Sequence, residues 1–297
     1  MNTIVIRPLT SLEDMRVAAE LQRVFWGDDV ESVIPAHMLF SIANYGGHVL
    51  AALDDGKITG MLVGFLGTST QETNRPAMAN LQLVSKRMVV LPAYRNQGIG
   101  YRLKMAQRDI AVQQGVRLIT WTYDPLMAVN AYLNIRKLGG VSHIYHENYY
   151  GTHEEGGLAV AGSSDRLFVE WWVTNRRVEE RINGRRGDLA LKQYLEANTP
   201  ILNPTTAETS GTPWPAEKSL SVAGSLVLLE IPTDYQGLAR TDLVLAQAWR
   251  VHTRELFGRL LNKGYLVTDF LREHYEGRDR AFYVFSHGGP QFDFSRN

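Results

Sequence analysis

Residues 81–115, "LQLVSKRMVVLPAYRNQGIGYRLKMAQRDIAVQQG", join two different periodicities through a glycine-marked turn. Leu81 to Pro92 is an apolar run rich in β-branched residues and predicts a long strand. Leu103, Ala106, Ile110 and Ala111 then recur at helical spacing, with Gly115 as the stop. "VRLITWTYDPL" predicts the next strand, ended by Asp124-Pro125. Strand, helix and strand in direct succession predict a crossover, with the helix covering one face of a sheet. Gly98 and Gly100 stand where the helix begins, and Arg95 stands just before them. A helix N-terminus exposes unpaired N–H groups and carries partial positive charge. Glycines there clear the approach of an anion, and an arginine adds a formal charge. "RNQGIG" has the make-up of a phosphate cradle; the alternative is a tight turn without a ligand. A Gly-Lys-Ser/Thr run is missing, which sets aside a P-loop, and so is a third glycine at dinucleotide spacing.

The rest of the first half predicts further elements of one α/β sheet. "TIVIRPL" is a short strand. "SLEDMRVAAELQRVFWG" is an amphipathic helix with Thr10 or Ser11 as its cap, acids in its first turn, and Ala18, Leu21, Val24 and Phe25 on one face. "PAHMLFSIANYGG" is a second, short helix. "HVLAALDDGKITGMLVGFLG" is a hairpin turning at Asp54-Asp55-Gly56-Lys57, followed by a polar loop, "TSTQETNRPAMAN". "MAVNAYLNIRKLGG" is a helix, and "VSHIYHENYYG" and "DRLFVEWWVTN" are strands. Beyond residue 175 the pattern weakens. "RRVEERINGRRG" is a charged link, and residues 195–219 form an irregular linker rich in Pro, Thr and Asn. "SLVLLEIP", "TDLVLAQAWRVHTRELFGRLLNKG", "YLVTDFLRE" and "RAFYVFS" then predict strand, helix, strand and strand. Segments 83–123 and 226–271 share a faint echo, although the second has the loop "TDYQGLARTD" in place of the paired glycines. That echo suggests a degenerate half-domain pairing with the first sheet; a generic βαβ tail explains it equally well. The predicted organisation is one domain over 1–175 and an α/β extension over 176–297.

Composition narrows the function classes. Lysine plus arginine equals aspartate plus glutamate, 31 each in 297 residues, so no dedicated nucleic-acid surface is expected. The absence of cysteine excludes disulfides and thiolate chemistry and suits a reducing cytoplasm. No run approaches the ~20 apolar residues of a membrane span, and no basic-then-apolar leader opens the chain. The eight histidines include no H-x-x-x-H pair, so no metal is expected.

"MVVLPAYRNQGIGYRLKMAQRDIAVQQG" resembles motif A of the GNAT superfamily of acyl-CoA N-acyltransferases, through Val90, Pro92, Arg95, Gly98 and Gly100. "IVIRPLTSLEDM", "LAALDDGKITGMLVG" and "NAYLNIRKLGG" resemble the superfamily's other elements in order. The resemblance covers about residues 1–150 and includes a group of long predicted acetyltransferases with a C-terminal extension. It implies a mixed twisted sheet with helices on both faces. It also implies acetyl-CoA or another acyl-CoA as donor and no metal. Met88, Val89 and Val90 would pair with the pantetheine arm. Arg95, Asn96, Gln97, Gly98, Ile99 and Gly100 would hold the pyrophosphate, and a backbone amide of the strand would polarise the thioester carbonyl. The partner would be a small-molecule amine, an amino acid among the acceptors, with neither nucleic acid nor membrane involved. The protein would be a monomer or homodimer, with the extension closing the acceptor cleft.

Two parts of the superfamily pattern are altered. Ile135 occupies the place of the tyrosine that usually protonates the departing thiolate, and Gly140 that of a phenylalanine. Tyr132, one turn earlier, is the substitute candidate. The stretch Val84 to Met88 holds no carboxylate, so Asp124 is the candidate proton acceptor, against a plain turn role beside Pro125. Asn130 and Asn134 either bond the pantetheine amides or are solvated. Of Lys86 and Arg87, alternation puts one on each face of the strand. Trp26, Trp121, Tyr123, Tyr149 and Tyr150 either line a cleft or belong to the core. The missing tyrosine keeps open a non-catalytic acyl-CoA-binding or regulatory protein, and an unrelated phosphate-binding α/β protein is a further alternative.

Overall fold

A computed structural model of the chain describes residues 4–27, 32–68, 76–152, 159–205 and 212–287. Residues 69–75 of the predicted polar loop and 206–211 of the irregular linker lie outside the described residues. The chain divides into two compact units, one running to Trp121 and taking in Trp172–Thr174, the other holding the remainder.

The first unit opens with β1 (Val5–Pro8) and α1 (Leu12–Trp26). Ser11 caps α1: its hydroxyl accepts from Asp14 N at 3.0 Å, and Glu13 and Asp14 sit at the positive end of the helix. Gly27, at φ 62°, closes the helix. Val24 is 60% exposed, contrary to its predicted place on the inner face, and the buried side chain there is Gln22. Its amide bonds both the N–H and the C=O of Ile34, which satisfies the polar group. After α2 (Ala36–Asn44), β2 (His48–Asp54) and β3 (Lys57–Thr68) form the predicted hairpin. Its two-residue turn has Asp55 at φ 48° and Gly56 at φ 78°, the pair of positive values that matches strand twist. β4 (Leu81–Val90), α3 (Ile99–Gln113) and β5 (Leu118–Tyr123) complete the crossover. Strand order is β1-β2-β3-β4-β5, antiparallel throughout except for the parallel β4–β5 pair.

Alternation along β2 splits the core between two faces. Val49, Ala51 and Leu53 pack with Met15, Ala18 and Leu39 of α1 and α2. Leu50 and Ala52 pack with Ile99 and Leu103 of α3. The predicted stripe of α3 is only half apolar. Leu103 and Ala111 are buried, Ala106 and Ile110 are half-buried, and Lys104 and Gln107 lie inside.

In the second unit, α4 (Ala128–Ala131) runs into a π-helical turn, Tyr132–Lys137. There follow β6 (Val141–His146), β7 (Arg166–Trp172), α5 (Arg176–Ile182), α6 (Leu191–Glu196), β8 (Leu226–Ile231), α7 (Tyr235–Thr241), α8 (Leu243–Asn262), β9 (Tyr265–Tyr275) and β10 (Arg278–His287). Strand order is β7-β6-β9-β10-β8, with antiparallel neighbours. Ala281, Tyr283 and Phe285 alternate with Phe282 and Val284 along β10. Phe257 of α8 packs on Tyr283 and Phe285, whereas Phe282 and Val284 pack with Leu191 and Tyr194 of α6. This sheet, too, is covered on both faces.

Three expectations for the second half are corrected. The "charged link" contains α5, capped by Asn175, and its Arg181 is buried against Asp269 at 3.1 Å. The loop "TDYQGLARTD" is α7, capped by Asp234 and followed at once by Asp242 as the cap of α8. Two aspartates eight residues apart are helix caps, a signal the loop-like composition concealed. The echo of the first crossover stops at element order: β8 pairs with β10 and not with β9, whereas β4 and β5 are direct parallel neighbours.

Candidate functional site

The predicted cradle is built from two left-handed residues. Asn96 has φ 61° and Gly98 has φ 76°, and a Cβ at Gly98 would stand in open space. Asparagine and glycine are the residues that reach this region at least cost. The first helical hydrogen bond of α3 runs from Arg102 N to Gly98 O at 3.0 Å. The amides of Ile99, Gly100 and Tyr101 consequently have no acceptor within the helix. Gln97 is tied back by its side chain to Ala93 O at 3.1 Å. Arg95 is exposed beside it, its guanidinium 5.0 Å from the Phe25 ring centroid.

The strand that feeds the cradle is irregular in two ways. Opposite β3, Arg87 pairs with Val63 and Ser85 with Gly64, so Lys86 is an extra residue: a β-bulge. Opposite β5, the parallel pairing consists of Leu83–Ile119 and Val84–Thr120 alone. Beyond Val84, and so at Met88, Val89 and Val90, β4 makes no further pair with β5. The two strands part at Val84. The bulge also decides the fate of the two cations. Lys86 is exposed, and Arg87 is buried with its guanidinium 4.2 Å over the Trp26 ring and a hydrogen bond to Ser32 O.

At the parting of β4 and β5 lies a buried polar cluster that sequence reasoning missed. Lys104 Nζ, on a side chain 2% exposed, donates to Ser85 Oγ at 2.8 Å and to Gln107 Oε1 at 3.4 Å. It lies 3.5 Å from the centroid of Trp121. Gln107 Nε2 meets His48 Nε2 at 2.9 Å. The glycine of this neighbourhood has a packing reason: a Cβ on Gly64 would fall 2.5 Å from His48 Nε2 and 2.6 Å from Gln107 Nε2. Burial pulls the lysine well below its usual range. The only sequence signal was a lysine and a glutamine three apart on the inner face of α3.

The candidates in the second unit have a different setting. Asp124 is 7% exposed, and both of its oxygens are taken: Oδ1 accepts from Arg250 Nη1 and Leu126 N, each at 2.9 Å, and Oδ2 from Arg250 Nη2 at 2.6 Å. Burial disfavours the arginine's charge, but the carboxylate more than offsets it, so the guanidinium is held charged more strongly than usual. Tyr123 donates to or accepts from Tyr283 Oη at 3.0 Å. Asn130 is exposed, whereas Asn134 is buried. Tyr132 is half-buried at the start of the π-turn, with Lys137 Nζ 5.5 Å from its ring. Ile135 is completely buried. Tyr149 and Tyr150 pack edge to face.

Residues 15–136 match the acetyltransferase (GNAT) family model. The chain carries a GNAT acetyltransferase domain. Solved structures similar to it include the ribosomal-protein-S18-alanine N-acetyltransferase from Escherichia coli, at 15% identity, 58% of this chain, 94% of that chain and a TM-score of 0.43. The putative acetyltransferase yncA from Salmonella typhimurium with its cofactor acetyl-CoA gives the same four figures: 15%, 58%, 94% and 0.43. A GNAT-family acetyltransferase from Streptococcus pneumoniae is 17% identical over 57% of this chain and 98% of that one, with a TM-score of 0.43. The search of curated proteins found no match. The GNAT match takes in the bulged strand, the cradle and the Lys104 cluster, and ends inside the π-turn. Among the described residues, no helix is long and apolar enough to cross a membrane, and no group of three or more His, Asp or Glu is placed to hold a metal.

The GNAT domain's buried histidine gives it a pH signature. Burial first, and the Lys104 charge second, lower His48 from 6.5 to about 4. Between those values the unfolded chain binds a proton at this ring that the folded chain refuses. Stability from this group is therefore complete above pH 6.5 and falls as pH drops toward 4, by about 3 kcal/mol in all. Denaturant unfolding at pH 7 and pH 4.5 is expected to show a steeper loss in the wild type than in His48→Gln. Equal slopes would refute a buried neutral ring.

Proposed function

We propose that the chain is an acyl-CoA-dependent N-acyltransferase that moves an acetyl or succinyl group onto a small amine, amino acids among them. The observation that carries this reading is the cradle of left-handed Asn96 and Gly98 at the head of α3, fed by a strand whose parallel pairing with β5 ends at Val84. An anion fits there, because Gly98 leaves open space and the first amides of α3 have no helical acceptor. In this reading the amides of Gln97 to Gly100 hold the pyrophosphate, and Arg95 and Asn96 support them. The free edge at Met88, Val89 and Val90 orients the pantetheine arm as a strand would be oriented. Bound acyl-CoA supplies an activated thioester. The protein's contribution is to place that carbonyl and the amine within reach of each other and to keep water away. Tyr132 and Asn130, on the helix that follows β5 in the chain, remain the candidates that the family resemblance names for the departing thiolate and the pantetheine amides. Asp124 is assigned to holding Arg250 in place of proton transfer.

A second reading, a non-catalytic acyl-CoA sensor, is favoured by one observation: Ile135 fills the usual tyrosine position and is wholly buried. Calorimetric titration with CoA, followed by thiol release from acetyl-CoA and succinyl-CoA over a panel of amines, separates the two. Binding with amine-dependent thiol release is the expected result. Binding without release for any amine would favour the sensor, and no binding would overturn both.

A further inference from the structure

The Lys104 cluster lies where the two central strands separate. The last paired residues are Val84 on β4 and Thr120 on β5, and the next residue on each strand is Ser85 and Trp121. Lys104 Nζ sits between those two, 2.8 Å from the Ser85 hydroxyl and 3.5 Å from the Trp121 ring centroid. It is a buried amine at the vertex of the opening. From Ser85 to Val90 the strand rises by ~17 Å. That is the length scale of an extended pantetheine arm, so an arm anchored at the cradle and laid along β4 brings its sulfur to this vertex.

Among the described residues, five elements contribute to the cluster. β2 contributes His48, β3 contributes Gly64, β4 contributes Ser85, β5 contributes Trp121, and α3 itself contributes Gln107. Among the described residues no carboxylate is hydrogen-bonded to Lys104. Its hydrogen-bond partners are a hydroxyl and an amide oxygen. Gln107 donates its amide to His48 Nε2, which places the imidazole proton on Nδ1, a buried atom with no hydrogen-bond partner among the described residues. The histidine end of the chain is therefore neutral, and the exchangeable charge of the cluster resides on Lys104. A serine that accepts from an ammonium keeps its own proton to donate elsewhere.

We propose that Ser85 is the proton donor to the departing sulfur and that Lys104 is the positioning residue that recharges it. This assignment rests on the acyltransferase reading. When the acyl carbon–sulfur bond breaks and its electron pair moves to sulfur, the Ser85 hydroxyl proton goes to sulfur. A Lys104 ammonium proton moves to Ser85 Oγ as that bond breaks. The neutral amine regains a proton from solvent, which has taken the one lost by the attacking nitrogen. The pair does the work that Ile135 cannot do.

The test needs no acceptor. Thiolate absorbance of CoA bound to the full chain is followed against pH in the wild type, Lys104→Met and Ser85→Ala. A cation held against the sulfur favours the thiolate, so the wild-type midpoint is expected about 1–2 pH units below that of Lys104→Met. Ser85→Ala is expected to shift the midpoint in the same direction by a smaller amount, since it removes the hydroxyl that donates to the sulfur and leaves the cation. Because Ser85→Ala deletes one oxygen, it remains informative where Lys104→Met fails to fold. Equal midpoints in the wild type and Ser85→Ala overturn the proposal while leaving the acyltransferase reading intact. Failure of the wild type to bind CoA overturns that reading and this proposal with it. In turnover, Ser85→Ala is expected to lose kcat with acetyl-CoA at nearly unchanged KM, and to keep its rate with an activated acyl ester, whose leaving group needs no proton.

Discussion

Arg250→Met is expected to destabilise the second unit by about 3–5 kcal/mol, the range for stripping one partner from a buried ion pair. The arginine is 3% exposed and makes two parallel bonds to Asp124, at 2.9 and 2.6 Å. Removing it leaves a carboxylate 7% exposed whose remaining hydrogen-bond donor, among the described residues, is the Leu126 amide. The neighbouring Tyr235 ring, 4.8 Å from the guanidinium, loses a cation as well. Asp124→Leu combined with Arg250→Met is expected to recover most of the loss, because a well-packed apolar pair of similar volume often matches a buried ion pair. Denaturant midpoints of the two single variants and the double variant measure this. The same set decides the standing of Asp124 in the chemistry. If the double variant regains stability and CoA turnover together, Asp124 supports the fold; regained stability with turnover still absent would restore it as a proton acceptor.

Gly98→Glu is expected to weaken CoA binding roughly 100-fold, or about 2.8 kcal/mol at 1.4 kcal/mol per tenfold. Two effects add. A side chain at φ 76° is strained by roughly 1 kcal/mol, and a carboxylate at the head of α3 repels the pyrophosphate that the free amides would hold. Gly98→Ala carries the strain without the charge, and its Cβ meets nothing within 4 Å. It is expected to lower stability slightly and cost CoA affinity less than tenfold. Calorimetric titration of the two variants separates the terms. Equal affinities for CoA in Gly98→Glu and the wild type would remove the pyrophosphate from this turn.

The cradle was legible because its chemistry is local. Left-handed backbone at Asn96 and Gly98 and the free amides of the first turn depend on residues within a few positions of each other. The hairpin at Asp55-Gly56 and the Ser11 cap were legible for the same reason. The second half was harder to read because polar composition masked its caps. Asp234 and Asp242 each start a helix inside a segment that resembles a loop. Asp124 was ambiguous because its partner lies 126 residues later in the chain. No local pattern announces such a pair.

The sequence by itself determined the succession of strands and helices in the first half, the glycine-marked turn ahead of α3 and the family to which residues 15–136 belong. These follow from periodicity, turn chemistry and backbone freedom, all short-range properties. Tertiary structure alone decided three matters. It fixed where β4 leaves β5, by ending the pairing at Val84 and Thr120. It turned Asp124 toward Arg250. It also carried Lys104, a residue whose charge ordinarily keeps it in water, into the vertex between two strands. Each depends on which distant groups share a low-dielectric interior, and a side chain's charge, partner and proton affinity are set there by its neighbours in space and not by its neighbours in sequence.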